Sequence, residues 1–301
     1  MNLAVLLRRQ LHSPLFALTV FVLVAAVVAV NATAFGAIHA LRWKALPYAD
    51  GDQLVELRGN MQKFGLMGGL NWYLLGRVAG DHAHFAGAAG FSGPNPPRSD
   101  ASGRDWRLAG VTPGFERVLG VAPQLGRAFD DDDAHTGADA LLLSDRAWRE
   151  RFAADPDVVG KEVRFADRGY RVIGVMPRGF AFPDATADAW TPYVATAFDR
   201  SQQGKAYVGG LEVVARRTTG TSVAQARAAL AAIFSGEHAV LAEMTEATGL
   251  AADARPWRDR FLADHWRALA LLQLAALLLL AVVAANLINL GNLSSLEGDY
   301  P

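Results

Sequence analysis

The sequence predicts an α+β domain, with mixed sheets and short helices in two lobes, inserted between two transmembrane helices. Two windows without Asp, Glu, Lys or Arg predict the helices, one from Gln10 to Leu41 and the other from Ala268 to Leu296. Each window contains an apolar run long enough to cross roughly 30 Å of hydrocarbon. Between the windows, strand-like and helix-like segments follow one another without strict βαβ alternation, which favours α+β over a doubly wound sheet.

This prediction divides the chain into a cytoplasmic amphipathic segment, a first transmembrane helix, an external domain, a second transmembrane helix and a short cytoplasmic tail, at residues 1–14, 15–38, 39–267, 268–290 and 291–301. Arg8 and Arg9 precede the first helix and place the N-terminus in the cytoplasm by the positive-inside tendency, although Arg42 and Lys44 follow that helix. A cleavable signal peptide is the alternative for the first run, because "ATA" at 32–34 resembles a cleavage site. The run is longer than the usual signal core of about 7 to 15 residues, which favours a transmembrane helix.

Uncharged polar residues lie inside both apolar windows. Side chains of this kind form hydrogen bonds between membrane helices. We therefore expect the two helices to pack against other helices through Asn31, Thr33, Gln273, Asn286 and Asn289.

Composition argues against a nucleic-acid partner. The formal net charge is −1, with 29 Lys and Arg against 30 Asp and Glu, and the two signs are interspersed. A nucleic-acid-binding domain would need a basic stripe to neutralise phosphates. The sequence contains no cysteine, which is compatible with an external domain that needs no disulfide.

Strand-like segments in the external domain are 52–59, 105–111, 139–144 and 210–217. A hairpin alternates through Val163 and Phe165, turns near 167–169 and continues with Tyr170 and Val172. Residues 91–104 and 199–209 are predicted to be loops, and the second of them separates the lobes.

Three helices have recognisable N-terminal signals. Ser144 caps "DRAWRERF", and Ser222 with Gln225 forms a capping box before "VAQARAALAAIF". In "VTPGFERVLGVAPQLGRAF", residues 111–129, Thr112 is the predicted cap of a helix that begins at Pro113, and Gly120 closes it in the left-handed conformation. The expected core includes Phe115, Leu119, Trp148, Phe152, Val163 and Val172.

No catalytic, cofactor-binding or metal-binding residue is predicted, and the chain is not expected to be an enzyme. It has no phosphate loop, no Gly-x-Gly-x-x-Gly turn and no nucleophile elbow. The acidic run Asp130–Asp133 with His135 fails the spacing of a calcium loop and is interpreted as a solvated turn. His82 and His84 would lie on one side of a strand and could, with Asp81, offer zinc ligands, but a histidine pair without a third strong ligand is interpreted as surface residues.

Large aromatic residues could line a ligand groove or fill the core. Core or inter-lobe packing is the favoured interpretation, because large aromatic side chains dominate core energetics. The residues concerned are Trp72, Tyr73, Trp106, Trp148, Trp190 and Trp257.

Several separate segments, in order and spacing, resemble the MacB/FtsX-type permeases of ABC transporters with their MacB-like periplasmic core domain. They are a basic N-terminus and membrane helix, "LRWKALPYADGDQLVEL" at 41–57, the stretch 111–129, "LLLSDRAWRERFAADPDVVGKEVRFADRGYRVIGVMPRGFAFP" at 141–183 and "ADAWTPY" at 187–193.

The resemblance implies a permease component of an export or mechanotransmission system in a bacterial inner membrane. It implies a dimer, a separate cytoplasmic ABC ATPase as partner, and a periplasmic peptide, lipid or protein that the external domain engages. Family permeases have four membrane helices per unit, whereas this sequence ends eleven residues after Leu290. We therefore expect a truncated N-terminal half that needs the remaining helices or a second permease half. The alternative is a membrane-anchored binding module that works without an ATPase.

Overall fold

The computed structural model describes most of the external domain and parts of the flanking segments. The described residues are 21–22, 25–33, 36, 48–93, 95–135, 139–165, 168–193, 195, 199, 210–236, 245–260, 270–271, 273–279, 281–282 and 285. The chain forms two compact units, one from residues 1–44 and 260–301 and the other from 45–259. The predicted segments 1–14 and 291–301 lie outside the described residues.

The first unit contains parts of both predicted transmembrane segments. Residues 25–33 and 273–279 are helical. The Gln273 side-chain amide donates to Asn31 Oδ1 at 2.6 Å, as expected for polar residues that bond between two apolar helices. Thr33 instead donates to the Ala29 carbonyl, one turn earlier in its own helix. Among the residues described, no helix has both the length and the apolar character that a membrane crossing requires, and the spans 15–38 and 268–290 remain predictions.

The second unit is the domain. Its strands are β1 Leu54–Met61, β2 Leu66–Gly68, β3 Phe85–Ser92, β4 Arg98–Ser99, β5 Asp105–Trp106, β6 Leu108–Val111, β7 Leu125–Gly126, β8 Ala140–Leu143, β9 Glu162–Arg164, β10 Gly169–Val175, β11 Ala189–Pro192, β12 Glu212–Arg217 and β13 Leu250–Pro256. The α-helices whose bounds lie within the described residues include α1 Trp72–Ala79, α2 Phe115–Leu119, α3 Asp131–His135, α4 Asp145–Phe152 and α5 Val223–Gly236. Short 3-10 turns lie at Gly51–Gln53 and Pro156–Val158.

Strands from both ends of the domain sequence share one sheet with the strands inserted between them. The order is β13-β1-β12-β3-β6-β11-β8-β10-β7, with β2 paired to β1 and β9 to β10, while β4 and β5 form a separate two-stranded sheet. We call β1, β2, β3, β12 and β13 with α1 and α5 the outer half. The strands β4 to β11 with α3 and α4 are the inserted half. The α+β prediction is correct, and the two predicted lobes share one continuous sheet.

The halves meet at β3 and β6, which we call the seam. These strands pair through Phe91↔Val111 and Ser92↔Gly110. Helix α2 follows β6 in sequence but packs on β3 and β12 of the outer half. The segment 111–129 therefore starts in one half and packs on the other.

Each half has its own hydrophobic cluster. The outer cluster is mainly aliphatic, and α1 and α5 contribute Leu74, Val78, Leu230 and Phe234 to it. The inserted cluster contains Trp106, Phe165 and Tyr170 beside aliphatic residues of β8 and β10.

Helix α2 departs from the predicted cap. It begins at Phe115, and its N-cap is Gly114, at φ 84°, rather than Thr112. The Thr112 hydroxyl instead accepts a hydrogen bond from the Gly90 amide at 3.0 Å, because Thr112 follows β6 directly and lies beside β3. The left-handed Gly120, at φ 69°, is confirmed.

The other two caps are confirmed. The Ser144 hydroxyl accepts from the Ala147 amide at 3.1 Å. Ser222 and Gln225 exchange the two reciprocal hydrogen bonds of a capping box.

Three further expectations need correction or remain outside the structure. Residues 91–104 are not one loop, because β3 extends to Ser92 and β4 follows at Arg98. Trp148 and Phe152 are half-buried and pack against the inserted cluster from outside; the other four expected core residues are buried. The separator predicted at 199–209 lies outside the described residues, apart from Asp199.

Candidate functional site: the junction where the chain enters and leaves the domain

The chain enters the domain through β1 and leaves it through β13, and these strands are direct antiparallel neighbours. Their register pairs Val55 with Pro256 at this end of the ladder. Arg258 Nη2 lies 3.0 Å from Asp52 Oδ1, and Arg255 forms an ion pair with Glu56. We call the segments 48–53 and 255–259 together the junction. Entry and exit are thus held side by side at one place.

Two arginines at the end of β12 hold the entry segment by its backbone. Arg216 Nη2 donates to the Ala49 carbonyl at 2.7 Å and Nη1 to the Asp50 carbonyl at 3.3 Å. Arg217 Nη2 donates to the Asp52 carbonyl at 2.6 Å. The planar guanidinium presents several donors in a fixed fork, which suits neighbouring carbonyls that a single ammonium could not satisfy together.

Arg216 also connects the entry segment to α2. Its Nε donates to the Val118 carbonyl at 2.8 Å, at the C-terminal end of that helix, where carbonyls have no partner within the helix. A Cβ at Gly120 would lie 2.8 Å from Ala49 Cβ and 3.3 Å from Arg216 Nη2. Gly120 is therefore required both by its positive φ and by the close approach of the entry segment.

An aromatic cluster anchors both sides of the junction. Its members are Tyr48, Phe91, Phe115, Phe129, Phe180, Phe182, Trp190 and Trp257. Tyr48, on the entry side, packs edge-to-face on Phe180 at 6.1 Å and donates to the Ala181 carbonyl. Trp257, on the exit side, stacks on Phe182 at 5.6 Å. Phe115 of α2 stacks on Phe182 at 5.8 Å, so α2 lies at the centre of these contacts.

Two charged groups beside the cluster are partly or fully removed from water. Burial lowers the pKa of the Arg216 guanidinium from its ordinary value, against a smaller opposing effect of Asp50. Burial raises the pKa of the Glu116 carboxyl on α2, while its backbone hydrogen bond and Arg117 act in the other direction. Glu116 Oε1 lies 3.8 Å from Arg117 Nε.

The junction has no nucleophile paired with a base among these residues. Its contacts are backbone hydrogen bonds, ion pairs and ring packing. What this arrangement can do is keep two incoming chain segments, α2 and the seam in a fixed relation to one another.

The acidic run 130–133 differs from the solvated turn that was predicted. Asp130 and Asp133 exchange side-chain to backbone hydrogen bonds at the start of α3. Asp133 is buried and accepts two hydrogen bonds from the Arg127 guanidinium. Although burial raises the pKa of Asp133, its hydrogen bonds with Arg127 and Asp130 lower it by more. The run is a charged helix start fixed by an ion pair.

The Asp81, His82 and His84 side chains lie in a turn after α1, not along a strand. His84 Nδ1 lies 2.9 Å from Asp81 Oδ2, whereas His82 is exposed. In the described part of the chain, no three His, Cys, Asp or Glu residues come together as metal ligands.

The favoured core interpretation of the aromatic residues is confirmed for Trp106, Trp190 and Trp257, which are at most 1% exposed. Trp72 and Tyr73 are half-buried against the outer cluster, and Trp148 against the inserted one. Sequence reasoning missed the junction, because Arg216 and Arg217 are consecutive charges at the end of a strand. Nothing in their spacing reveals carbonyl partners more than a hundred residues away.

Comparison with known proteins identifies the domain. The MacB-like periplasmic core domain family matches residues 15–233. The macrolide export ATP-binding/permease protein MacB of Neisseria meningitidis is 29% identical over 121 residues, which are 39% of this chain and 18% of that protein. MacB of Shewanella oneidensis is 32% identical over 110 residues, 35% of this chain and 16% of that protein. The chain therefore spans less than a fifth of the length of the curated relatives it matches.

The fold agrees with these matches. The periplasmic region of MacB from Actinobacillus actinomycetemcomitans superposes with a TM-score of 0.50 at 14% identity, covering 71% of this chain and 94% of that one. At that identity the likeness concerns the fold alone, and the family match over residues 15–233 carries the assignment. Through its MacB-like periplasmic core domain, the chain belongs to the MacB/FtsX-type permease family of ABC transporters.

Proposed function

We propose that this chain is a permease component in an ABC-type export or mechanotransmission system of a bacterial inner membrane. A cytoplasmic ABC ATPase supplies the energy, and the domain engages a substrate or partner outside the membrane. The family assignment supports this proposal, as do relatives whose names join macrolide export, ATP binding and permease activity.

The observation that carries the proposal is the junction. β1 and β13 are neighbours, so a displacement of either flanking segment would reach both the first and the last strand of the domain. Arg216 joins the entry segment to α2, and Phe115 of α2 stacks on Phe182 next to the seam. Movement at the junction would therefore pass into both halves of the sheet.

The chain's own role in this system is mechanical and not catalytic. Triphosphate binding requires a cradle of backbone N–H groups with a Lys and an oxygen ligand for magnesium, and no sequence stretch has that pattern. Further permease helices and a second copy of the chain are the membrane partners that we propose.

Co-purification tests the proposal. The chain is expressed with an ABC ATPase of the same organism, with and without further permease helices, and capture of the ATPase is measured in detergent. We expect stable capture of the ATPase. Capture of periplasmic proteins alone would instead support the membrane-anchored binding module.

A matched pair of arginine variants tests the role of the junction. Arg216→Ala should preserve capture of the ATPase. The rate of ATP hydrolysis should no longer respond to the external domain, because the entry segment and α2 lose their shared contact. Arg164→Ala removes an exposed arginine whose contact is with the nearby Glu162, and it should behave as the parent. Equal coupling in both variants would contradict a mechanical role for the junction.

Orientation is tested with single cysteines, since the sequence has none. An impermeant thiol reagent added to spheroplasts should label Ser235→Cys and not Ser13→Cys. The reverse pattern would contradict the proposed topology.

A further inference from the structure

The carboxyl group of Glu116 on α2 is buried without a full set of hydrogen-bond partners. Its side chain is 8% exposed, and its Oε2 atom is buried and has no hydrogen-bond partner. The Arg117 guanidinium lies 3.8 Å from Oε1, beyond hydrogen-bond distance, and its side chain is 78% exposed. A charge taken out of water without a close partner is costly. The geometry therefore favours the neutral acid at this position.

The two strands on which α2 packs direct their charges elsewhere. β3 contains no charged residue. On β12, Arg216 and Arg217 donate to backbone carbonyls of the entry segment, and Arg216 also donates to a carbonyl of α2. Glu212 lies at the other end of β12 and has the same sign of charge as an ionised Glu116. These strands therefore give the Glu116 carboxyl no paired charge.

Charged groups on the other segments that contact α2 act on one another. These segments contain Ala49, Phe129, Phe180 and Phe182. The charged groups and their partners are Asp50 with Arg216, Asp52 with Arg258, Arg127 with Asp130 and Asp133, Arg178 with Asp145, and Asp184 with the Thr186 hydroxyl. Arg117 is thus the cation whose charge acts on Glu116, and it does so from an exposed position.

Helix α2 is held on the sheet and is also tied to the entry segment. Val118 packs on β3, where a Cβ at Gly87 would lie 3.3 Å from the Val118 Cγ2 atom. The Val118 carbonyl accepts from Arg216 Nε, and the same guanidinium donates to the entry segment. A displacement of the entry segment can therefore reach the helix that carries Glu116.

We propose that Glu116 makes α2 a proton-linked switch. The carboxyl group carries its proton while α2 is docked on β3 and β12. When α2 separates from the sheet, the carboxyl meets water, its O–H bond breaks, the electron pair stays on the carboxylate and the proton goes to water. Acid therefore holds α2 docked, and a rise in pH favours its separation. This inference rests on the proposed function, in which displacement passes through the junction, and adds regulation by pH.

The two states of the switch differ in their affinity for the proton. Burial raises the pKa of Glu116 in the docked state, whereas an exposed glutamate has a pKa of about 4.3. Between these two pKa values, separation releases one proton, and its equilibrium constant rises by up to about tenfold per pH unit. Below and above this window the constant does not depend on pH.

Hydrogen exchange of the full chain in detergent tests the switch without an ATPase, so its outcome is separate from that of ATPase capture. The amides of Val118, Gly120 and Val121 donate hydrogen bonds within or next to α2 and report its separation. After correction for the intrinsic pH dependence of exchange, we expect the separation constant to rise at least about threefold between about pH 4 and pH 8. A constant that does not change with pH would overturn the proposal.

Two glutamine variants assign the pH dependence. Glu116→Gln cannot ionise, so its separation constant should not change with pH and should stay near that of the parent in acid. Glu150→Gln removes an exposed carboxyl on α4, which lies 3.7 Å from Arg146, and should keep the pH dependence of the parent. The proposal is overturned if the dependence persists in Glu116→Gln or disappears in Glu150→Gln.

Carboxyl NMR of the parent chain keeps the proposal testable if Glu116→Gln does not fold. With glutamate labelled at the carboxyl carbon, we expect at least one carboxyl that titrates above the ordinary range. Titration of every glutamate carboxyl within the ordinary range would overturn the proposal.

Discussion

In the outer half of the domain every strand pair is antiparallel and an aliphatic cluster lies beneath α1 and α5, whereas the inserted half mixes parallel and antiparallel pairs. Both halves contain a buried carboxylate with an arginine partner, Glu56 with Arg255 in the outer half and Asp188 with Arg146 in the inserted half. Asp188 is 3% exposed and lies 2.9 Å from Arg146 Nη2, and the Arg151 guanidinium lies 4.2 Å above the Trp106 ring. The outer half joins distant parts of the sequence, and the inserted half has contacts largely within itself.

We infer from this difference that the two halves have different mechanical roles. The outer half contains the junction and would receive any displacement of the flanking segments. The inserted half meets it at the two residue pairs of the seam and through the aromatic cluster. Such a connection can transmit a displacement while each half keeps its own core. The following variants, from the largest expected effect to the smallest, test whether the halves are coupled in this way.

Phe182→Ala should have the largest effect. Phe182 is fully buried, and its ring contacts Phe91, Phe115 and Trp257. Removing a buried phenylalanine ring typically costs about 3 to 5 kcal/mol. We expect urea unfolding, followed by hydrogen exchange in peptides of each half, to separate into two transitions.

Trp148→Ala is the control for that variant. Trp148 is half-buried beside the inserted cluster and donates to the Asp155 carbonyl at 2.8 Å. Its loss should cost less, about 1 to 2 kcal/mol, and leave one transition. A cost equal to that of Phe182→Ala would show that the aromatic cluster has no special role.

Gly126→Ala should destabilise both halves together, because it leaves the aromatic cluster that couples them intact. Gly126 has φ 71°, and a Cβ there would lie 2.1 Å from the Ile173 carbonyl oxygen in β10. Left-handed strain of about 1 kcal/mol and a backbone clash of about 1 to 3 kcal/mol add together. Gly220→Ala carries only the strain, because its Cβ would meet no atom within 4 Å. Exchange in β1 and β13 of Gly126→Ala should therefore also become faster, and unchanged exchange there would mean that the halves unfold separately.

Ser144→Ala and Ser222→Ala compare one helix cap in each half. Loss of a serine cap typically costs about 1 kcal/mol. Ser144 is buried, so its variant also leaves the Ala147 amide without its partner in a buried site, and the cost should be the larger of the two. Thermal unfolding measures both; a larger loss for Ser222→Ala would contradict the burial argument.

Glu116→Gln should have the smallest effect and a distinctive pH dependence. Burial raises the pKa of Glu116 in the folded state, so its favourable contribution exists below the unfolded pKa and is lost as pH rises through the folded pKa. The glutamine variant has no such loss and should be more stable than the parent at pH 7, by less than about 1 kcal/mol. At pH 4 and below the two should converge. A variant less stable at pH 7 would show that the carboxylate has a favourable partner.

Asp133 provides the opposite sign in the inserted half. Its pKa is lowered in the folded state, so its contribution exists above the unfolded pKa and is lost as pH falls through the folded pKa. The two carboxyls therefore respond to pH in opposite directions, although Glu116 and Asp133 are only 17 positions apart in the sequence.

The sequence by itself determined the local structure. The caps at Ser144 and Ser222, the left-handed Gly120 and the hairpin of β9 and β10 follow from residue preferences over a few positions, and the structure confirms them. The α+β class follows from the irregular order of such elements. The predicted cap at Thr112 is wrong, because its hydroxyl accepts a hydrogen bond from a neighbouring strand. The local sequence does not reveal this partner.

Only the tertiary structure decided which distant segments meet. The pairing of β1 with β13, the carbonyl partners of Arg216 and the ring contacts of Phe182 join residues far apart in the chain. Capping and turn preferences act between residues three or four apart, whereas sheet order depends on which apolar faces bury each other best. For this reason three of the helices, α2, α4 and α5, could be located from the sequence, but the junction and the seam required the folded chain.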